Sequence, residues 1–371
     1  MLRSFDLAIV GAGICGLAHA LAAAKRGKKV VVIDRDGQAN GASIRNFGFV
    51  TVTGQQRGEC WRRAMRSRDV WAEVAEAAGI EILHRGLVMA ARRPEARAVL
   101  ETFVKTEMGE GCELLEPAAA KSRFPLLKDV AAALHSPHEI RVESRTAIPL
   151  IASWLAEAHG VTLLRGVAVH SVEPPHIVTS EGTVTAEAAV VCPGDDLVSL
   201  FPERLGTFGL TRCKLHMMRL APVAGTVDAA IMSDLGLVRY LGYAELPEAT
   251  ALRRVLETEQ AEHLANGVHL IVVRSADGSL VVGDSHHYAA TPDPFAPESV
   301  DELILDELRA VVETGDIRVT ERWTGTYASA TDRLALIDRP SDAVRLVLIT
   351  SGTGASTSFA IGEEVVAELF G

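Results

Sequence analysis

Three glycines spaced Gly11-x-Gly13-x-x-Gly16 follow an apolar run from Leu7 to Val10 and precede a helical stretch of small residues. A second apolar run then ends in Asp34. Each residue type has a physical job in holding a dinucleotide. Gly11 permits the tight turn out of the strand, Gly13 lets a pyrophosphate approach the backbone, and Gly16 lets helix and strand pack closely. The diphosphate belongs at the helix N-terminus beside Ile14 and Cys15, where unpaired N–H groups and the dipole favour negative charge. Asp34 is placed to accept hydrogen bonds from ribose hydroxyls. Arg35 leaves the identity of the dinucleotide open, because an arginine there also suits a 2′-phosphate. Strand, turn, helix, second strand and terminal acid occur together, which favours a dinucleotide site over a merely structural turn.

The chain closes on a similar device. LVLIT (346–350) reads as a buried strand, Ser351-Gly352-Thr353-Gly354 as a glycine turn, and 355–370 as a helix. Its first turn carries Ala355, Ser356 and Thr357, and its N-terminus again favours an anion. A nicotinamide dehydrogenase needs no second site of this kind. A flavoprotein does, since reduced flavin carries negative charge at N1 and the C2 carbonyl that backbone dipoles stabilise. Alone, the turn is an ordinary strand-to-helix connection; coupled to the N-terminal fingerprint, it points to flavin. Cys192-Pro193-Gly194-Asp195 ends another apolar run, so Gly194 can pass close to the diphosphate. Cys192 reads as a packed thiol, with no partner cysteine supplied nearby. In the loop 40–48, Gly41, Ala42 and Ser43 can approach phosphate and flavin, and Arg45 and Asn46 project towards the ring or substrate. Buried there, Arg45 requires an anion; on a solvated loop it is only a surface charge.

Helical spacing covers 56–78 with Gly79 as a stop, 95–108 with Pro94 in the first turn, and 146–159 closed by Gly160; further helices are expected near 247–265 and 298–313. Short strands at 161–164, 167–172 and 188–192 keep the α/β rhythm of the N-terminus. Longer ones at 210–222, 268–274 and 279–283 read as a different sheet. The fold class is therefore α/β with an α+β second domain. Residues 1–85, 140–205 and 332–371 are expected to form a Rossmann-type nucleotide-binding domain. Residues 86–139 and 206–331 are expected to form a substrate domain around a large mixed or antiparallel sheet, with the reactive end of the cofactor at the junction. Of the 371 residues 48% are hydrophobic, enough for a large core, and no apolar stretch has the roughly 18 uncharged residues of a membrane span. The first strand begins soon after Met1, leaving no room for a cleavable presequence. Five scattered cysteines have no metal-ligand spacing, and the His286-His287 pair alone makes no metal site, so no metal is expected. A net charge of −11 argues against a nucleic-acid partner. These features together predict a soluble cytoplasmic protein.

The order of motifs resembles the D-amino-acid-oxidase and glycine-oxidase (DAO) family of FAD-dependent oxidoreductases, within the glutathione-reductase-like class. The resemblance spans essentially the whole chain: Gly11–Gly16, Asp34, Gly41-Ala42-Ser43, the strand reaching Val169, Cys192-Pro193-Gly194 and Gly352–Thr357. The segments 43–55, 211–219, 278–288 and 351–359 resemble a subgroup linked to aminophosphonate catabolism. The resemblance implies an FAD enzyme that oxidises a small amine, 2-aminoethylphosphonate-like or its N-methyl form, to an imine, with oxygen or another acceptor taking the electrons. It also implies noncovalent FAD, since no cysteine stands where some relatives attach flavin. One departure matters. Relatives usually carry Gly-Leu-Arg-Pro before the last glycine turn, its Arg clamping a substrate carboxylate; here Gly325-Thr326-Tyr327-Ala328 puts Tyr327 in that place. One hydroxyl does not replace a bidentate charged fork. The candidates for holding a substrate anion are Arg45, Lys214, Arg239 and Arg333, with His216, His286 and His287 as weaker donors, and a phosphonate dianion would want two or more. No acid–base dyad is needed, because flavin supplies the hard chemistry. The alternatives are an FAD dehydrogenase of a hydroxy acid or polyol phosphate, and a flavin-binding protein without turnover.

Overall fold

The computed structural model describes residues 4–371. Two sheets organise it. The strand Ser4–Val10 lies at the centre of an eight-stranded sheet, parallel to Val30–Asp34 on one side and to Gly182–Val191 on the other. Thr162–Arg165 extends the first side and Val344–Ile349 the second, both in parallel register. Ala335–Ser341 closes that edge antiparallel. Strands covered on both faces read as continuous apolar runs, which is why LAIV, VVVI and AAVV were legible as strands.

Helices Ile14–Lys25, Glu59–Ala77, Ser144–His159 and Gly354–Phe370 cover one face and share a core of Leu17, Trp71, Ile151 and Phe359. The first and last of these cross closely, for a Cβ on Gly362 would lie 2.9 Å from the backbone of Ala18. Trp71 meets Phe359 edge-on at 5.3 Å between ring centres, a contact worth about 0.5–1.5 kcal/mol beyond its burial. The Trp71 indole N–H also donates to the Ala355 carbonyl at 2.7 Å, pinning the first turn of the C-terminal helix.

The ten-stranded second sheet is mixed. Its longest members are Ile82–Ala91, Ala132–Val142, Thr211–Leu220 and Val319–Ser329. Thr211–Leu220 pairs antiparallel with Val319–Ser329, Leu280–Gly283 and His287–Ala289. The strands at Phe49–Val50 and Ala132–Val142 also belong here, so the expected boundaries at 85/86 and 139/140 each fall inside a strand of this sheet. The helix expected over 95–108 stops at Phe103, whose carbonyl accepts from the Thr106 hydroxyl and N–H. The helix expected over 247–265 breaks at Gln260, whose side chain is drawn into hydrogen bonds with Arg92, Arg93 and Glu307. No helix among the described residues is long and apolar enough to cross a membrane.

Candidate active site

The first glycine turn is built by contacts that leave no room for side chains. Gly11 has φ +102°, and a Cβ on it would lie 2.4 Å from the Cys192 carbonyl oxygen; one on Gly16 would lie 1.8 Å from the Gly11 carbonyl oxygen. Gly13 is different: its Cβ would meet only the Ser43 hydroxyl, at 2.8 Å. That hydroxyl accepts from the Ile14 N–H at 2.9 Å, which ties the 40–48 loop to the helix start. In neither helix at a glycine turn, Ile14–Lys25 or Gly354–Phe370, does the N-cap residue's own side chain cap the end, and neither has an acid in its first turn, although Ser43 already takes the Ile14 N–H. Both N-termini therefore keep their affinity for an anion.

A cavity of about 460 Å³ connects the two turns and continues to the second sheet. The first sheet contributes Gly13, Ile14, Cys15, Gly16, Cys192, Gly194 and Gly352, Thr353, Gly354, Ala355 and Ser356. Ala42, Ser43, Arg45 and Asn46 enter from the loop. Asn46 is held by its own amide, which donates to the Ala42 carbonyl at 2.7 Å while its Oδ1 accepts from the Gly48 N–H and the Ser144 hydroxyl. Phe47, Phe49, Leu215 and Ile271 supply an apolar stretch of wall, and Arg239, Tyr240, His269, Asp284, His286, Tyr288 and Tyr327 a polar one. Apolar walls with a few convergent polar groups are the usual construction of a cofactor and substrate pocket.

Several expected residues lie outside the cavity. Lys214 donates to the carbonyls of Asp293 and Phe295, at 2.7 and 2.6 Å, and His216 pairs with Asp301 at 3.0 Å. Side chains alternate along a strand. Leu215 faces the cavity, so Lys214 and His216 face away from it, Lys214 to the segment before the helix Glu298–Val311 and His216 to the helix itself. His287 is likewise turned away by its neighbour His286. Arg333 points outward, paired with Asp332 and lying over the Phe208 ring at 5.2 Å. Arg35 is engaged with Asp196 at 2.6 Å. Asp34 accepts from the Ala12 and Asp36 N–H groups, at 2.6 and 2.8 Å, and so braces the glycine turn. Gly41 is exposed, Val169 lies in a hairpin at the sheet's side, and the Thr357 hydroxyl donates to the Thr353 carbonyl.

The reading of Cys192 as a thiol without a partner is corrected. Parallel pairing of Val10 with Val191 sets Cys192 against the first glycine turn, and its sulfur, that of Cys15 and a ring nitrogen of His19 all lie within 4.8 Å of one another. A separation of 177 positions along the chain hid this pair in the sequence. Hydrogen bonding from Cys192, helped by His19, pulls the Cys15 thiol down to about 5, while the same bond and burial push Cys192 up.

At the far wall, Arg239 makes one hydrogen bond, to the Tyr288 hydroxyl at 3.0 Å, and has no carboxylate within salt-bridge distance among the described residues. Asp284 is bracketed by His269, at 3.2 Å from one carboxyl oxygen, and His286, at 3.8 Å from the other. Burial pushes Asp284 up to about 8 against the pull of Arg239, and burial followed by the same cation holds both histidines well below the ordinary imidazole range. A trio with this spacing also suits a metal ion. The guanidinium charge works against a dication there. His269, Asp284, Tyr240 and Tyr288 were not singled out from the sequence. A signal existed: in Asp284-Ser285-His286-His287-Tyr288 every second residue is a polar group facing the cavity, the period of one strand face.

Comparisons with known proteins agree with this construction. A bifunctional ThiO/ThiG protein of Nostoc sp. (strain PCC 7120) is 24% identical over 347 residues, covering 90% of this chain; the chain spans about half, 47%, of that relative's length. Glycine oxidase from Bacillus cereus superposes with a TM-score of 0.78 at 17% identity, over 98% of this chain and 94% of its own. FAD-bound L-α-glycerophosphate oxidase from Mycoplasma pneumoniae gives 0.76 at 14% identity, over 99% and 95%. The family model described as "FAD dependent oxidoreductase" (DAO) matches residues 6–369. The chain thus belongs to the DAO family of FAD-dependent oxidoreductases, and FAD is its cofactor.

Proposed function

We propose that this enzyme oxidises a small amine carrying an anionic group, an aminophosphonate of the 2-aminoethylphosphonate type or its N-methyl form. One observation carries the reading: the polar wall holds an arginine, Arg239, with no carboxylate within salt-bridge distance among the described residues, while Tyr327 stands where relatives are expected to hold their carboxylate-clamping arginine. A guanidinium in such a wall favours a bound anion, and Arg45 offers a second cation near the first glycine turn. On this reading FAD is bound noncovalently. Gly13 and Ser43, in the turn shaped by Gly11 and Gly16, would hold its diphosphate, and the Gly352–Ser356 turn would stabilise the negative charge of its reduced ring. When bound, FAD supplies the acceptor for a hydride.

The chain's own residues orient and desolvate the substrate. Arg239, with Tyr288 bracing it, fixes the anion, and Phe47, Phe49, Leu215 and Ile271 keep water from the reacting carbon. The amine must be neutral, because its lone pair assists departure of the hydride. The resulting imine hydrolyses to an aldehyde with ammonia or methylamine, and oxygen or another acceptor removes the electrons. A polyol phosphate would also satisfy Arg239, which keeps a hydroxyl substrate as the competing reading. Anaerobic mixing with 2-aminoethylphosphonate, its N-methyl form, glycine, sarcosine and glycerol 3-phosphate separates these. Bleaching of the flavin band by the aminophosphonates, and not by glycine, is the expected result; bleaching by the polyol phosphate alone overturns the amine reading.

A further inference from the structure

The His269–Asp284–His286 cluster has fewer protons than its neighbours require. The Nδ1 atom of His286 lies 2.9 Å from the Gly267 carbonyl oxygen. A carbonyl only accepts, so Nδ1 carries the hydrogen and Nε2 of the neutral ring is a bare lone pair. That lone pair faces Asp284 Oδ2. His269 turns Nε2 to the Tyr240 hydroxyl at 3.4 Å and Nδ1 to Asp284 Oδ1, and neither Nδ1 nor Oδ1 makes a hydrogen bond. On the His286 side an acceptor therefore faces an acceptor, at a residue that is 4% exposed, and a proton added there is welcome. Groups from several segments interact with Asp284: Arg239 and Tyr240 from one, His269 from another, His286 from its own and Cys213 from a fourth, while Tyr288 and Tyr327 line the same cavity. Arg239 is the one cation among them; burial, followed by its charge, keeps both imidazoles neutral, so an incoming proton goes to the carboxyl.

Resting on the amine-oxidation reading above, we propose that Asp284, bracketed by His269 and His286 in the cavity wall, takes the proton from the substrate's ammonium and releases the free amine that is oxidised. In this step an N–H bond of the ammonium breaks with its electron pair left on nitrogen, and an O–H bond forms on Asp284. The ammonium becomes a neutral amine and the carboxylate a carboxylic acid; no electrons are transferred, and the proton leaves to solvent through the cavity after turnover. His269 and His286 are positioning residues that hold the carboxyl and share its proton.

The test is the pH profile of flavin reduction by 2-aminoethylphosphonate, as kcat/KM, in the FAD-loaded wild type, Asp284→Asn and Asp284→Glu. The wild type is expected to rise through about 8, where burial sets Asp284, and to fall again near the substrate amine's own value of about 10. Asp284→Asn is expected to lose the limb near 8 and rise only towards about 10, a loss of about 100-fold at pH 8 that closes at high pH. Asp284→Glu restores a carboxyl and with it the lower limb. Methylphosphonate, read as a flavin difference spectrum, is expected to bind the Asn variant as it binds the wild type. Reduction in Asp284→Asn within about threefold of wild type, with the lower limb intact, overturns the proposal. If Asp284→Asn fails to hold FAD, a wild-type profile without a limb near 8 overturns it as well. Failure of the underlying reading looks different: no amine bleaches the wild-type flavin at any pH, and the proton role falls with it.

Discussion

The two halves of the cavity are made from different materials. The side reaching Gly13 and Gly354 is almost entirely backbone: glycines, helix N-termini and a strand end, with contacts fixed by carbonyl oxygens. The wall at Arg239, Asp284 and Tyr327 is made of side chains from segments scattered through the second sheet. Backbone construction depends on spacing within a short stretch, whereas the side-chain construction depends on which strand face each residue occupies. The first should therefore tolerate almost no change of shape, and the second should change function without collapsing.

Gly16→Ala tests the rigid half and carries the largest expected effect. The added methyl meets the Gly11 carbonyl at 1.8 Å, so strand and helix must separate. We expect loss of soluble, FAD-containing protein, read by gel filtration and the absorbance ratio of flavin to protein. Gly13→Ala sharpens the point, since its methyl meets only the Ser43 hydroxyl. That variant should fold with a Tm close to wild type yet hold FAD at least tenfold more weakly, because the methyl occupies the approach of the diphosphate. Normal flavin retention in Gly13→Ala would remove the diphosphate from this turn.

Arg239→Gln tests the adaptable half. A hydrogen bond to a charged group is worth about 1.5–3 kcal/mol, so KM for an aminophosphonate should rise roughly 10- to 100-fold with a smaller change in kcat. Thermal unfolding should move little, as Arg239 forms no salt bridge among the described residues. Unchanged KM would transfer the anion to Arg45. Tyr327→Phe comes next: its ring packs against Gly352, and Phe keeps that packing while removing the hydroxyl. A change of less than tenfold in kcat/KM is expected from steady-state kinetics. A larger loss would mean that the hydroxyl itself holds the substrate.

The contrast in materials also explains what the sequence disclosed. Gly11, Gly13, Gly16 and the Gly352–Ser356 turn were legible because the physics of a glycine turn is local and leaves a fixed spacing. So was the element pattern around them, down to Gly160, which ends its helix with φ +67°. Cys15 and Cys192 were not legible as a pair, because parallel strands join residues far apart in the chain. Asp284 and His269 were missed for a related reason: their partnership exists only once the 269 and 284 backbones hydrogen-bond to each other across the sheet. Arg239 was on a list of possible cations but could not be separated from Lys214, since choosing requires the strand face.

Lys214 and Arg333 give the smallest expected effect, and they close the comparison. Both are cations close in sequence to cavity-lining residues, Leu215 on one side and Leu334 on the other. Lys214 spends its ammonium on two backbone carbonyls on the far face of its strand, and Arg333 spends its guanidinium on Asp332. Lys214→Met should cost about 1–3 kcal/mol of stability by leaving those carbonyls unpaired, visible as a lower Tm. Arg333→Gln removes an exposed pair and should cost no more than about 1 kcal/mol. In both, KM and kcat for the amine should stay within twofold of wild type. A tenfold rise in KM for either would mean that strand alternation misassigns the wall, and that the anion is held by a cation from outside the cavity rather than by Arg239.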